Sequence, residues 1–211
     1  MKVLLVNGGP HPKGCTHTAL GLVGEALEEN GVGSDEFWIQ NKPIAGCIGC
    51  LTCRDTGRCV FRDRVDDFLD IAADYDGFVF GSPVHYGGIT GNMKSFMDRA
   101  FYSGRARGPE LFRLKPAAAV VSARRMGTTT ALEQLNMYFE IEQMPVVSSR
   151  YWNAVHGAVA EDVLQDTEGM QVMRVLGQHM AWMLKSFQAS DEAGVARPAL
   201  YDKRAQTNFI R

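Results

Sequence analysis

Two stretches of this chain carry residue types and spacings that could do chemistry. The first is Cys47-Ile-Gly-Cys50-Leu-Thr-Cys53-Arg-Asp-Thr-Gly-Arg-Cys59, which gathers four of the five cysteines into a C-x2-C-x2-C-x5-C pattern. The first three cysteines have the spacing of a bacterial iron–sulfur run; the fourth lies farther away and lacks the following proline. Four thiolates so grouped suit an iron–sulfur cluster, a structural zinc ion or a metal-free loop of thiols, and spacing alone leaves all three open. In a cytosolic chain, which is what is expected here, such a group points to metal or redox chemistry, not to a disulfide scaffold. Cys15 stands apart and reads as a buried or loop thiol.

The second stretch is KVLLVNGGPHPKGCTHT, residues 2–18. Val3-Leu4-Leu5-Val6 is an apolar run suited to a strand buried on both faces, and helical spacing resumes at Ala19-Leu20. A loop from strand end to helix start offers free backbone N–H groups and the positive end of a helix dipole to an anion, most often a phosphate. Gly9-x-x-x-x-Gly14-Cys15-Thr16 resembles a triphosphate loop with Cys15 in place of the lysine, and no dinucleotide G-x-G-x-x-G is present. Pro10 and Pro12 remove two further amides. The remaining donors are a few amides, the Thr16 and Thr18 hydroxyls, and the rings of His11 and His17. That set suits a single terminal phosphate.

Composition narrows the class. A chain of 211 residues fits one domain of ordinary size. Its formal net charge of −2 argues against a nucleic-acid binder. The opening apolar run is too short for a signal peptide or membrane span and nothing longer follows, so a soluble cytoplasmic protein with no membrane partner is expected.

Periodicity supplies the elements that position these stretches. Helices are expected over 20–29, 65–73, 91–102, 129–143 and 162–187, and strands over 3–6, 35–40, 77–81 and 116–122, with a fifth beginning at 145–148. Segment 103–115 reads as an irregular insertion whose three arginines are solvated or lie at a subunit contact. Strand alternating with helix means an α/β doubly wound parallel sheet with helices on both faces. Five strands suit the flavodoxin-like order 2-1-3-4-5, with a crevice above the carboxyl ends of the first and third strands. Residues 1–188 form this domain, and the tail 189–211 is expected at a subunit interface.

Three loops then converge on the crevice: 8–18, 82–90 (SPVHYGGIT) and 123–128 (ARRMGT). The second, through Ser82, Pro83, Val84, His85, Tyr86 and Gly87, has the glycines and aromatic of a loop that approaches a flat ligand. Tyr86 either borders a ring or packs on the next helix. The third offers the Ala123 backbone with Arg124 and Arg125.

VNGGPHPKGCTHTAL, GSPVHYGGITGNMKSFMDRAFYSG, KPAAAVVSARR and MPVVSSRYWNAVHG are together similar to segments of the NADPH-dependent FMN reductase family of flavodoxin-like proteins. The resemblance implies one FMN held by the three loops, through Gly9, Pro10, His11, Cys15, Thr16, His17, Thr18 and the residues just named. It also implies a homodimer or higher homo-oligomer with FMN near the interface. In that family serine, arginine and asparagine are usual where this chain has Gly9, His11 and Cys15, and tyrosine is frequent at His85. The implied reaction is hydride transfer from NAD(P)H to FMN, then electron passage to a small acceptor such as a quinone or free flavin. The flavin does the chemistry, so no catalytic side chain is expected. The cysteine pattern resembles that of iron–sulfur flavoproteins, which implies the alternative of an electron carrier with a [4Fe–4S] cluster on Cys47, Cys50, Cys53 and Cys59. A redox-sensing FMN module is a third possibility.

Overall fold

The computed structural model describes residues 1–200 and residue 207. Parallel strands β1 (Lys2–Asn7), β2 (Gly33–Trp38), β3 (Gly77–His85), β5 (Ala117–Ala123) and β6 (Ala154–His156) form one sheet. The two-residue β4 (Gly88–Ile89) folds back on β3. The order β2-β1-β3-β5-β6 is the expected 2-1-3-4-5 order once that short hairpin strand is set aside. Helices α1 (Cys15–Glu29), α2 (Thr52–Thr56), α3 (Arg64–Ile71), α4 (Gly91–Gly104), α5 (Thr128–Ile141), α6 (Ala160–Val163) and α7 (Thr167–Glu192) complete the chain.

The opening strand shows why its sequence is apolar throughout. Leu4 and Val6 enter the core beneath α3, α4 and α5, while Val3 and Leu5 enter the one beneath α1 and α7. The first core is aromatic and centres on Phe68, whose ring lies 5.2–6.3 Å from those of Phe37, Phe78, Phe80, Phe96 and Phe112. The second is aliphatic and tightly closed. A Cβ at Gly177 of α7 would stand 2.6 Å from the Val23 carbonyl oxygen of α1.

Four expectations are corrected. β3 does not end at Gly81: proline lacks only a donor, and the ladder continues through Pro83 opposite Ser122. The chain then reverses at Tyr86 and Gly87, both with positive φ (49° and 80°), the combination a tight hairpin turn demands. Second, 145–148 contributes only a bridge between Val146 and Ala117. The chain leaves the sheet through the exposed, mutually packed Tyr151 and Trp152 and returns as β6. Third, the last helix starts at Thr167. The Asp162 carboxylate instead accepts from the amides of Ala158 (2.8 Å) and Val159 (3.2 Å), and Asp166 caps α7 through Gly169 N (2.9 Å). That helix runs to Glu192, past the expected start of the tail; positions 201–206 and 208–211 of the tail lie outside the described residues.

Fourth, the arginines of 103–115 are paired. Arg105 binds Glu142, and Arg107 reaches Asp70 (2.7 Å), Asp66 (3.3 Å) and the Gly57 carbonyl (2.8 Å). Arg113 donates to Gln143 (3.1 Å) and to the Pro198 carbonyl (2.6 Å). Among the described residues no helix is long and apolar enough to cross a membrane.

Candidate active site and cysteine cavity

The loop after β1 is fixed from beneath by buried polar groups. Asn7 accepts from Gly9 N through Oδ1 (2.9 Å) and donates through Nδ2 to Glu36 Oε1 (2.8 Å). Trp38 Nε1 donates to the Gly9 carbonyl (2.8 Å), so the Gly9 peptide is held on both sides. A side chain there would crowd the clamp, because a Cβ would stand 3.0 Å from Asn7 Oδ1. Helix α1 then begins with Gly14 as N-cap, with no side-chain cap and no acidic residue in its first turn. By contrast α3, α4 and α7 are capped by Asp63, Thr90 and Asp166. Helix α5, whose N-cap is Gly127, likewise starts without a side-chain cap, but the start of α1 lies at the crevice described next.

A crevice of about 590 Å³ opens at the carboxyl edge of the sheet. From the first loop its wall includes Gly9, Pro10, His11, Cys15 and Thr16. Pro83, Val84 and His85 come from the second loop, and Ala123 and Arg124 from the third. Thr16 Oγ1 lies 3.0 Å from Ser122 Oγ, tying α1 to β5 at the floor. The third loop presses on the hairpin at Gly127, φ 97°, where a Cβ would stand 2.8 Å from Val84 Cγ1. Burial, then the Asp162 and Glu161 charges, push the Cys15 thiol up; it faces the Gly157 carbonyl at 3.7 Å as a neutral donor.

Several expected site residues do not line this crevice. His17 Nδ1 meets Glu36 Oε2 at 2.7 Å and so buttresses the Asn7 clamp. The Thr18 hydroxyl donates back to the Gly14 carbonyl (3.4 Å), one helical turn away. Ser82 is buried, accepting from Thr90 N (3.2 Å) and donating to the Pro83 carbonyl (3.0 Å). Tyr86 neither packs on the next helix nor lines the crevice: it projects fully into solvent at the hairpin tip beside Gly87. Arg125 is exposed and outside the wall.

Sequence reasoning also missed part of the wall: Lys13, Gly14, Ser122 and the segment 157–161 after β6. Ligands bind at strand carboxyl ends, so the last segment was findable. Placing the fifth strand at 145–148 put its end in the wrong loop.

The second cavity, about 20 Å³ and open on the side of exposed Cys47 and Cys50, is lined by all four loop cysteines. Each two-residue spacer contains one left-handed residue, Gly49 (φ 66°) and Leu51 (φ 63°), which bends the chain between successive thiols. For Leu51 that backbone costs about 1–2 kcal/mol. Hydrogen bonds from Thr52 lower the Cys50 thiol; burial and then the three neighbouring thiols raise Cys53. Cys59 Sγ receives the Nε–H of buried Arg99 at 3.1 Å. Among the described residues no group of three or more His, Cys, Asp or Glu side chains is placed to hold a metal ion. Four cysteines lining one cavity have the donor chemistry of a thiolate-bound cluster, but about 20 Å³ has room for about one water, so the side chains would have to move apart to admit a cluster. The two cavities share no lining residue.

A five-stranded 2-1-3-4-5 parallel sheet with an uncapped helix start in its strand-end crevice defines the flavodoxin-like class. Residues 1–159 match the model of the NADPH-dependent FMN reductase family, and the chain belongs to that family. It is 32% identical over 192 residues to an iron–sulfur flavoprotein of Methanocaldococcus jannaschii, covering 88% of this chain and 98% of that one. An iron–sulfur flavoprotein of Methanosarcina thermophila is 25% identical over 189 residues, covering 89% and 97%. Among solved structures, a flavone reductase superposes with TM-score 0.67 at 20% identity, over 89% of this chain and 64% of that one, less than two thirds of its length. An archaeal flavodoxin superposes with TM-score 0.59 at 17% identity, over 88% and 99%. Membership makes the chain an FMN-dependent oxidoreductase.

Proposed function

We propose that this chain is an FMN oxidoreductase that also carries a [4Fe–4S] cluster on Cys47, Cys50, Cys53 and Cys59, and that electrons pass between the two groups. The observation that carries this reading is that all four loop cysteines line one cavity, separate from the strand-end crevice. In a cluster the thiolates bind different irons, so they surround a space instead of converging on a point. The names of the relatives above support the same reading.

FMN, when bound, supplies hydride acceptance and single-electron transfer. The protein holds and orients it. The opening amides of α1 and the Thr16 hydroxyl would hold the phosphate, with the loop clamped at Gly9 by Asn7 and Trp38. Pro83, Val84, His85 and Ala123 line the crevice where they would hold the flavin, and Arg124 would add positive charge there.

The electron donor has two readings. Exposed Lys13 and Arg124 on the crevice wall suit the pyrophosphate of NAD(P)H, with onward transfer to a small acceptor such as a quinone or free flavin. The exposure of Cys47 and Cys50 suits a reduced ferredoxin-like donor at the cluster instead. The proposal extends to a cytoplasmic homodimer, to which the solvent-facing Tyr86, Tyr151 and Trp152 are suited.

Anaerobically purified protein tests the cofactor and donor readings. Bound FMN with four irons and four sulfides per chain is expected, and iron-free protein from anaerobic reconstitution would end the cluster reading. Bleaching of the flavin by NADPH or NADH supports the first donor. Bleaching only by a reduced ferredoxin supports the second.

A further inference from the structure

We infer that Arg99 is a positioning residue for the group held at Cys59, and that its buried guanidinium raises the reduction potential of that group. The inference rests on the cluster reading above. Arg99 lies in the middle of α4, and only 1% of it is exposed. Burying a guanidinium is costly unless each donor finds a partner. Nη1 and Nη2 form a fork to the Asp63 carboxylate, both at 2.8 Å, and Nη1 also donates to the Ala45 carbonyl at 3.2 Å. The Phe61 ring covers the guanidinium at 4.7 Å. These contacts grip the chain on both sides of the cysteine stretch.

Tethering the loop needs only that fork and the carbonyl. Of the two donors left over, the Nε–H is directed at Cys59 Sγ at 3.1 Å. A neutral thiol is a weak acceptor. A thiolate, free or bound to iron, is a strong one, and a cation beside it forms a charge-assisted bond. Cys59 is also fixed from its backbone side, where its N–H donates to Asp66 Oδ1 at 3.3 Å. Its environment differs from that of Cys50, whose partner is the neutral Thr52 hydroxyl.

The electrostatic consequence follows from charge counting. A cluster bound by four thiolates is anionic, and reduction adds one further negative charge. A cation fixed in low dielectric against one ligand favours the reduced form, and hydrogen bonds to cluster sulfurs act the same way. Asp63 opposes this in part, since its carboxylate lies behind the guanidinium. Neutralising the two partners should therefore move the potential in opposite directions.

The test is a mediated potentiometric titration with dithionite under anaerobic conditions, following the cluster by EPR and the FMN by its visible band. Iron and sulfide are counted for every sample. Arg99→Gln should shift the cluster midpoint to more negative potential, Asp63→Asn to more positive, and the FMN midpoint should stay put. Asn at 63 keeps an oxygen for the N-cap bond to Val65 N (3.2 Å in the parent), so this variant carries the test even where Arg99→Gln does not fold. An upward shift in Asp63→Asn then supports the inference, and no shift or a downward one overturns it. Shifts of the same sign in both variants, or unchanged midpoints with full iron, also overturn it while leaving the cluster reading intact. Wild-type protein that binds no iron removes both together.

Discussion

The crevice at the sheet's carboxyl edge takes its wall from the loops that follow the strands, whereas the cysteine cavity lies between α4, through Arg99, Tyr102 and Ser103, and a loop whose only helix spans five residues. In the crevice, the sheet register brings the end of β3 beside that of β5, and α1 is held to β5 through Thr16 and Ser122. Around the cysteines, charged tethers replace the sheet: Arg99 to Asp63, Arg107 to Asp66 and Asp70, and Arg58 to Asp70. A site built on strand ends inherits the stability of the core. A site hung on ion pairs is only as firm as those pairs.

Phe68→Ala should have the largest effect and strains this contrast hardest. The ring is fully buried among five other phenylalanines and seats α3, which carries Asp66 and Asp70, on the sheet. Removing it should cost about 3–5 kcal/mol in denaturant unfolding. In the folded fraction FMN affinity should hold while amides of the cysteine loop exchange faster. Equal loosening of residues 8–18 would show that the two regions are not separable.

Thr16→Val comes next. It removes the hydroxyl at the crevice floor, including its 3.0 Å bond to Ser122. A hydrogen bond to a charged group is worth about 1.5–3 kcal/mol, so FMN affinity should fall about 10- to 100-fold in a fluorescence-quenching titration. Iron content should not change. Gly14→Asp sharpens the point from the other side. The N-cap backbone is extended (φ −91°) and admits an aspartate, which would cap α1 and gain about a few tenths of a kcal/mol in apo stability. Its carboxylate would also repel a phosphate at the same amides, so stability and FMN affinity should move in opposite directions.

The same contrast governs how much was legible in the sequence. The apolar run at 3–6, the strand order and the convergence of three loops follow from periodicity and the crossover rule, which act through the backbone. β6 escaped because three residues carry too little pattern, while the more apolar Val146-Val147 made only a bridge. His17 and Thr18 read as ligand groups in the sequence because helix-start hydroxyls and rings look alike there; Glu36, which pairs with His17 in the structure, comes from a neighbouring strand. The cysteine spacing was plain, but its supporting arginine was not. Arg99 is 40 residues from Cys59, and beside Met93, Phe96, Met97 and Ala100 a charged residue reads as the solvent face.

The smallest effect concerns acid. Arg107, and secondarily Arg58, hold the Asp70 carboxyl below its usual range. A depressed carboxylate contributes stability that is complete above the ordinary carboxylate range and is lost as pH falls through its lowered folded value. The Asp70 side chain is 42% exposed, and solvent screening keeps that contribution small. Its effect should therefore be local. Asp70→Asn mimics the protonated form at neutral pH, and exchange of amides around 52–62 should quicken there while residues 8–18 keep wild-type protection. The Arg107 contacts to Asp66 (3.3 Å) and to the Gly57 carbonyl (2.8 Å) survive the change, so the loop should loosen without detaching. Unchanged exchange around 52–62 would show that those two contacts suffice to hold the loop.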